Sequence, residues 1–182
     1  MKQTAKALLS LLIIAAVSLG ALWGGDLLTR TLLTEQSTAQ VAQVFGELLP
    51  AKRYDELSTD GWEKINAAYR AVDDGGQVLG YAVTVTVEGY VSDIEVHVAV
   101  SADGERIRGL RIGEHRESAG YGARIVSTVF TDRFKNAVPP LYLAGKNGQA
   151  GTAIEALSGA TASSQAVVDA ANEAASFVGE QV

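Results

Sequence analysis

No cysteine occurs among the 182 residues of this chain. That absence excludes disulfides, thiolate nucleophiles, iron–sulfur ligation and thiolate zinc sites together, so any redox chemistry must come from a cofactor held without sulfur. Histidine is almost as scarce. His97 and His115 stand apart without metal-ligand spacing, and no metal site is expected. Basic charge is the third shortage. The 15 Lys and Arg are outnumbered by 21 Asp and Glu, giving a net charge of −6. Nothing gathers the cations into a phosphate-binding face, so no nucleic-acid partner is expected. Two nucleotide-binding loops are also missing. Gly145-Lys146 has Pro140 where a Walker A loop needs its first glycine, and Gly120 and Gly122 are followed by Ile125 where a dinucleotide fingerprint needs its third.

No charge interrupts the run from Ala7 to Gly25, rich in Leu, Ile, Ala and Val. A helix of about 20 such residues crosses a hydrocarbon layer of roughly 30 Å. Lys2 and Lys6 precede the run and Asp26 follows it, so the positive-inside rule leaves the N-terminus in the cytoplasm and sends the remainder outside, with Trp23 at the far interface. The rival is a cleaved signal peptide, with Ser18-Leu19-Gly20 near a possible cut, though the run is longer than a usual signal core and bulky Leu22 and Trp23 follow directly. The length and the 47% apolar content leave room for one membrane segment and one globular domain. Leu28, Leu32, Val41, Val44, Phe45 and Leu48 form an interrupted amphipathic stripe ending before Pro50, which reads as a stalk. Lys52-Arg53-Tyr54-Asp55 reads as a polar connection or, alternatively, an interaction patch. The expected organisation is residues 1–26 as cytoplasmic end and transmembrane helix, 27–60 as helical stalk or linker, and 61–182 as an extracytoplasmic domain.

Within that domain the hydrophobic period changes from helix to strand. Ile65 to Val72 and Val78 to Val87 flank the turn signal Asp73-Asp74-Gly75-Gly76, and Val83, Val85 and Val87 alternate with Thr84, Thr86 and Glu88. After Gly89-Tyr90, Ile94, Val96, Val98 and Val100 alternate with Glu95, His97 and Ala99. Asp103-Gly104 then turns the chain into Ile107, Leu110 and Ile112. Two half-buried hairpins result, with His97 on the polar, solvated face. No βαβ alternation appears, so the fold class is α+β with a mostly antiparallel sheet and flanking helices. Phe130 and Phe134 suit a short helix, Pro139-Pro140 ends it, and Gly145-Lys146-Asn147-Gly148 suits a turn.

Two stretches carry candidate chemistry. Glu114 to Arg124 places Gly120 and Gly122 around Tyr121 with charges on both sides, a bent loop able to press backbone and ring against a flat ligand. Ser158-Gly159-Ala160-Thr161 leaves a reachable hydroxyl beside a Gly-Ala pair. Val167, Val168, Ala171, Ala174, Ala175 and Val178 then recur at helical spacing, with Ser163 or Ser164 as N-cap. The first free N–H groups and the positive end of the dipole would face whatever sits on Thr161, which suits a phosphate. The plainer alternative is a capped surface helix after a small-residue turn.

The Ser-Gly-Ala-Thr motif, with an acid three residues before it and a Ser/Thr pair and alanine-rich helix after it, resembles the flavinylation motif of FMN-binding domains. These belong to the G subunit of the Rnf electron-transport complex and the C subunit of sodium-translocating NADH:quinone reductase. Here the acid is Glu155, where the family usually has Asp. The loop resembles the family's Glu-Thr-Pro-Gly-Leu-Gly signature through Glu117, Gly120 and Gly122, with Ser118, Ala119 and Tyr121 replacing Thr, Pro and Leu. The resemblance covers about Val78 to Val178 and is nearest to the G subunit. It implies FMN joined to Thr161 by a phosphoester, with Ser158, Gly159, Ala160, Glu117, Gly120, Tyr121 and Gly122 at the flavin site. It also implies other membrane subunits of an Rnf-type complex as partners, and a flavin transferase acting on the outer side of the inner membrane. The enzyme would be the complex, coupling ferredoxin and NAD redox exchange to ion movement, with this chain as its electron carrier. The rivals are the quinone reductase C subunit and a flavin-free membrane-anchored adaptor.

Overall fold

The computed structural model describes residues 41–145 and 150–182. The apolar run from Ala7 to Gly25, its flanking charges, most of the expected stalk and the centre of the Gly145 to Gly148 turn lie outside the described residues. Among those described, no helix is long and apolar enough to cross a membrane.

The β-branched runs of the middle region form a five-stranded antiparallel meander: β1 (Arg53–Leu57), β2 (Ile65–Val72), β3 (Val78–Glu88), β4 (Asp93–Ser101) and β5 (Ile107–His115), in that spatial order. Both expected hairpins are present, β2 pairing with β3 and β4 with β5, and they are joined across β3 and β4 with Val83 opposite Val98 and Val85 opposite Val96. Their valines share one face, where they meet Val167, Val168, Ala171, Ala174 and Phe177 of the long C-terminal helix. The short helix α1 (Thr128–Thr131) and a following 3-10 turn bury Phe130 and Phe134 against the same core, the two rings edge to face at 5.4 Å. The C-terminal helix, α2, is Thr161–Gly179.

The other face of the sheet is covered too, which corrects the expected organisation. Val41, Phe45 and Leu49 lie buried against Ala71, Ala82 and Ala99. The domain therefore begins by residue 41, within the stretch expected to be stalk up to residue 60. The supposed polar connection at 52–55 is largely the edge strand β1, because Tyr54 turns inward and donates its hydroxyl to the Leu49 carbonyl at 2.7 Å. On the same strand Arg53 and Asp55 pair outward. His97 is likewise not solvated. The segment over this face leaves its side chain 14% exposed, with Phe45 edge-on at 5.6 Å and Thr84 Oγ1 at 3.1 Å from Nδ1. Burial pushes the imidazole below its ordinary pKa.

A small parallel pair, β6 (Leu141–Leu143) and β7 (Thr152–Ile154), has no counterpart in the sequence pattern. Three residues are too few to display a strand period. Asn172 of α2 closes the arrangement by accepting from the Leu141 amide at 2.7 Å and donating to its carbonyl at 2.9 Å.

Candidate functional site

Helix α2 starts at Thr161 itself, with Ala160 as the residue before the first turn and no side-chain cap among the described residues. Ser163 and Ser164, expected as caps, are instead inside the first turn and fully buried. Ser164 donates to the Ala160 carbonyl at 2.9 Å and accepts from the Leu157 amide at 3.0 Å, tying the helix start to the strand-side chain that leads into it. Ser163 donates to the carboxylate of Glu117. Both serines lie four residues before Val167 and Val168, so the helix turn that buries those valines buries the serines as well. Thr161 remains exposed at the end of the helix, where uncapped N–H groups and the dipole favour an anion.

The Gly loop is aimed by the end of β5. Ile94 pairs with His115 and Val96 with Ile112, so β5 carries an extra residue there, and such a bulge bends the strand and re-aims the loop beyond it. Glu117 turns back under the loop and is only 7% exposed. Its Oε1 accepts from the amides of Val91 at 2.8 Å and Ser92 at 3.3 Å, while Oε2 takes the Ser163 hydroxyl. Burial alone would raise the carboxyl's pKa. The Ser163 hydroxyl and the turn amides outweigh it and hold Glu117 below the ordinary carboxylate range, as an anion. One side chain thus ties the β3–β4 turn, the Gly loop and the first turn of α2 together.

These three segments wall a cleft of about 520 Å³. The loop contributes Ser118, Tyr121 and Gly122, and the helix start contributes Gly159 to Ser163, Thr161 among them. Tyr90 comes from the β3–β4 turn. Of the residues singled out by sequence, Thr161, Ala160, Gly159, Tyr121 and Gly122 converge on this cleft. Glu117 lies behind its wall, and Gly120 and Ser158 are exposed outside its lining, Gly120 facing open space. Gly122 is a close-approach position: a Cβ there would stand 2.6 Å from Glu117 Oε2 and 2.8 Å from Ser163 Oγ. Gly159, at φ +77°, lets the Tyr121 ring lie on its backbone, since a Cβ would meet the ring carbon Cδ1 at 2.8 Å. Glu155 is exposed and 3.8 Å from Arg133, away from the cleft lining.

Sequence reasoning does not assign Tyr90, Ser118, Ala162 or Ser163 to the site as ligand contacts. The helical spacing of Ser163 is a usable signal, and Tyr90 stands out only as half of a Gly-Tyr pair. A larger hollow of about 680 Å³ lies elsewhere, between Thr86, Asp93, Glu95, Glu114 and Arg116. Three carboxylates make it hostile to a phosphate. The smaller cleft pairs an exposed hydroxyl at a helix start with two tyrosine rings, which is chemistry for a phosphorylated aromatic ligand.

Residues 89–176 match the FMN-binding domain family. The G subunit of an ion-translocating oxidoreductase complex from Methanosarcina acetivorans is 31% identical over 99% of this chain and 97% of its own length. The G subunit of the Na(+)-translocating ferredoxin:NAD(+) oxidoreductase complex from Acetobacterium woodii is 32% identical over 69% of this chain, which spans 63% of that protein. Among solved structures, the C subunit of Na(+)-translocating NADH-quinone reductase from Parabacteroides distasonis superposes with a TM-score of 0.51. It covers 62% of this chain and 60% of its own at 24% identity, a likeness of fold.

Proposed function

The chain belongs to the G-subunit family of ion-translocating oxidoreductase complexes, and on that premise we propose that it is the electron-carrier subunit of such a complex, holding FMN through a phosphoester to Thr161. The observation that carries this reading is the exposed Thr161 at the uncapped start of α2, opening on a cleft of about 520 Å³ inside the stretch that matches the FMN-binding domain. That volume lies within the roughly 300–1,000 Å³ of ordinary cofactor sites.

FMN, when bound, accepts electrons singly or in pairs, which the cysteine-free side chains cannot do. Thr161 supplies the attachment atom. Its Oγ1 would take the place of the leaving group on a flavin phosphate delivered by a flavin transferase, giving up its proton to solvent. The N–H groups of the first turn of α2 offer hydrogen bonds to the phosphate oxygens. Tyr121, braced on Gly159, offers a ring face to the flavin. Glu117 acts on the site from behind, fixing the wall rather than touching the ligand.

The remaining parts of the reading rest on the sequence. Residues 1–26 anchor the chain in the inner membrane, 27–40 lead from the membrane, and the FMN-binding domain lies on the outer side, where a transferase reaches Thr161. The other membrane proteins of the complex are its partners, and electrons exchanged between ferredoxin and NAD pass through the carrier while ions cross the membrane. The full chain, co-produced with a flavin transferase, is expected to show a flavin absorption spectrum that stays with the protein pellet after acid precipitation. A colourless pellet with the colour in the supernatant would mean noncovalent flavin, and a colourless protein throughout would favour the adaptor.

A further inference from the structure

We propose that His97 is an acid-operated latch on the segment Val41 to Leu49, which it holds against the sheet when neutral and loosens when protonated. The latch stands apart from the flavin reading and needs no ligand. Phe45 of the segment lies edge-on to the imidazole at 5.6 Å, and Val41, Phe45 and Leu49 are buried on a floor of Ala71, Ala82 and Ala99. The sheet makes room for this cover and for the latch beneath it. A Cβ on Gly109 would stand 3.0 Å from Leu48 Cδ2, and one on Gly113 would stand 2.5 Å from Glu95 Oε1 and 2.7 Å from His97 Nε2.

Both ring nitrogens are partnered in the neutral state. Nε2 stands 3.2 Å from Glu95 Oε1 and donates to that carboxylate, so Nδ1 accepts from the Thr84 hydroxyl at 3.1 Å. A second proton makes Nδ1 a donor, turns the Thr84 hydrogen away and leaves a cation beneath an apolar cover. Burial is the largest influence on the imidazole and disfavours that cation; Glu95 on its own strand favours it, and Arg111 opposes it again from β5. Arg111 is itself paired with Glu47 of the segment. The net effect holds His97 below its ordinary pKa. A proton has a way in, because Glu95 lines the hollow of about 680 Å³. With the cover off, the imidazole is solvated and ordinary. The stability that neutral His97 gives the cover is therefore fully present above about pH 6.5 and is lost as the pH falls from there through the folded value. Released, the segment would lengthen the link between the proposed membrane anchor and the sheet by up to roughly 30 Å of extended chain.

Hydrogen exchange reads the latch without any flavin. The full chain in detergent micelles is compared as wild type, His97→Gln and Glu47→Gln, at about pH 7.5 and about pH 5.5, on either side of the ordinary imidazole value, with uptake measured peptide by peptide and corrected for intrinsic exchange. The amides of Leu48 and Leu49, both bonded to the Phe45 carbonyl, report on the segment. Wild type is expected to lose several-fold protection there in acid, while the buried stretch Ala166 to Val178 of α2 keeps its own. Glu47→Gln should show the same loss, which separates the latch from the Glu47–Arg111 pair. His97→Gln keeps a donor and an acceptor without a titrating group, and should show no loss. Equal protection in wild type at both pH values overturns the latch, and so does a loss shared by α2, one that persists in His97→Gln, or one that disappears in Glu47→Gln. Should His97→Gln fail to fold, the other two chains decide: a loss confined to the segment in both supports the latch, and its absence from either overturns it. Every one of these outcomes leaves the carrier reading standing.

Discussion

Glu117 accepts a hydrogen bond from Ser163, 46 residues further along the chain, and this contact joins the Gly loop to the first turn of the helix that begins at Thr161. Both residues are buried. Ser163→Ala removes the donor and leaves Oε2 of a buried carboxylate short of a partner, which should cost about 1–3 kcal/mol. Chemical denaturation of the full chain checks it. A midpoint equal to wild type would mean that the contact contributes nothing.

The same carboxylate predicts a pH dependence. Burial works to raise its folded pKa, but the Ser163 hydroxyl and the turn amides outweigh burial and leave it depressed. The stability it contributes is therefore fully present above the unfolded glutamate value of about 4.3 and is lost as the pH falls through the folded pKa. Glu117→Gln should be less stable than wild type at neutral pH, with the gap narrowing in acid. A gap that stays constant from neutral pH into strong acid would contradict the assignment.

Gly122→Val places a branched side chain where even one Cβ would stand 2.6 Å from Glu117 Oε2 and 2.8 Å from Ser163 Oγ. Overpacking of this kind costs about 1–3 kcal/mol. Because the clash falls on the wall and not on Thr161, the variant should still acquire flavin while its visible circular dichroism weakens. An unaltered denaturation midpoint together with unaltered dichroism would reduce Gly122 to an ordinary turn residue.

The antiparallel sheet is legible in the sequence because Val83 to Val87 and Ile94 to Val100 alternate over runs long enough to fix a period. The long helix is legible for the same reason. Its capping is not: Ser163 and Ser164 have the right chemistry for caps, but their spacing from Val167 and Val168 buries them, and the tertiary partner Glu117 claims one of them. Strands β6 and β7 are too short to show a pattern. The cover over His97 escapes the sequence because Val41, Phe45 and Leu49 are spaced as a helical stripe, which says that a face is buried and not against what. At the site, sequence draws together Thr161, Tyr121 and Gly122. It cannot show that Glu117 works through backbone amides of a turn 25 and 26 residues earlier.

Orientation in the membrane rests on Lys2 and Lys6 preceding the uncharged run. A reporter that is active only outside the cytoplasm, fused after Val182, should be active. Activity of a cytoplasm-only reporter at the same position would reverse the topology and remove Thr161 from the side where a transferase is proposed to act.

The attachment itself is tested most directly by intact mass. Thr161→Val keeps the β-branched shape and removes the only side-chain oxygen at that position, and at an exposed site it should cost within about 0.5 kcal/mol of stability. Ser158→Ala removes a neighbouring hydroxyl and leaves Thr161 Oγ1 in place. Co-produced with a flavin transferase, wild type should gain the mass of FMN less one water and fluoresce on a denaturing gel. Ser158→Ala should retain flavin, and Thr161→Val should be folded but neither heavier nor fluorescent. A Thr161→Val chain that still carries the added mass would contradict the account.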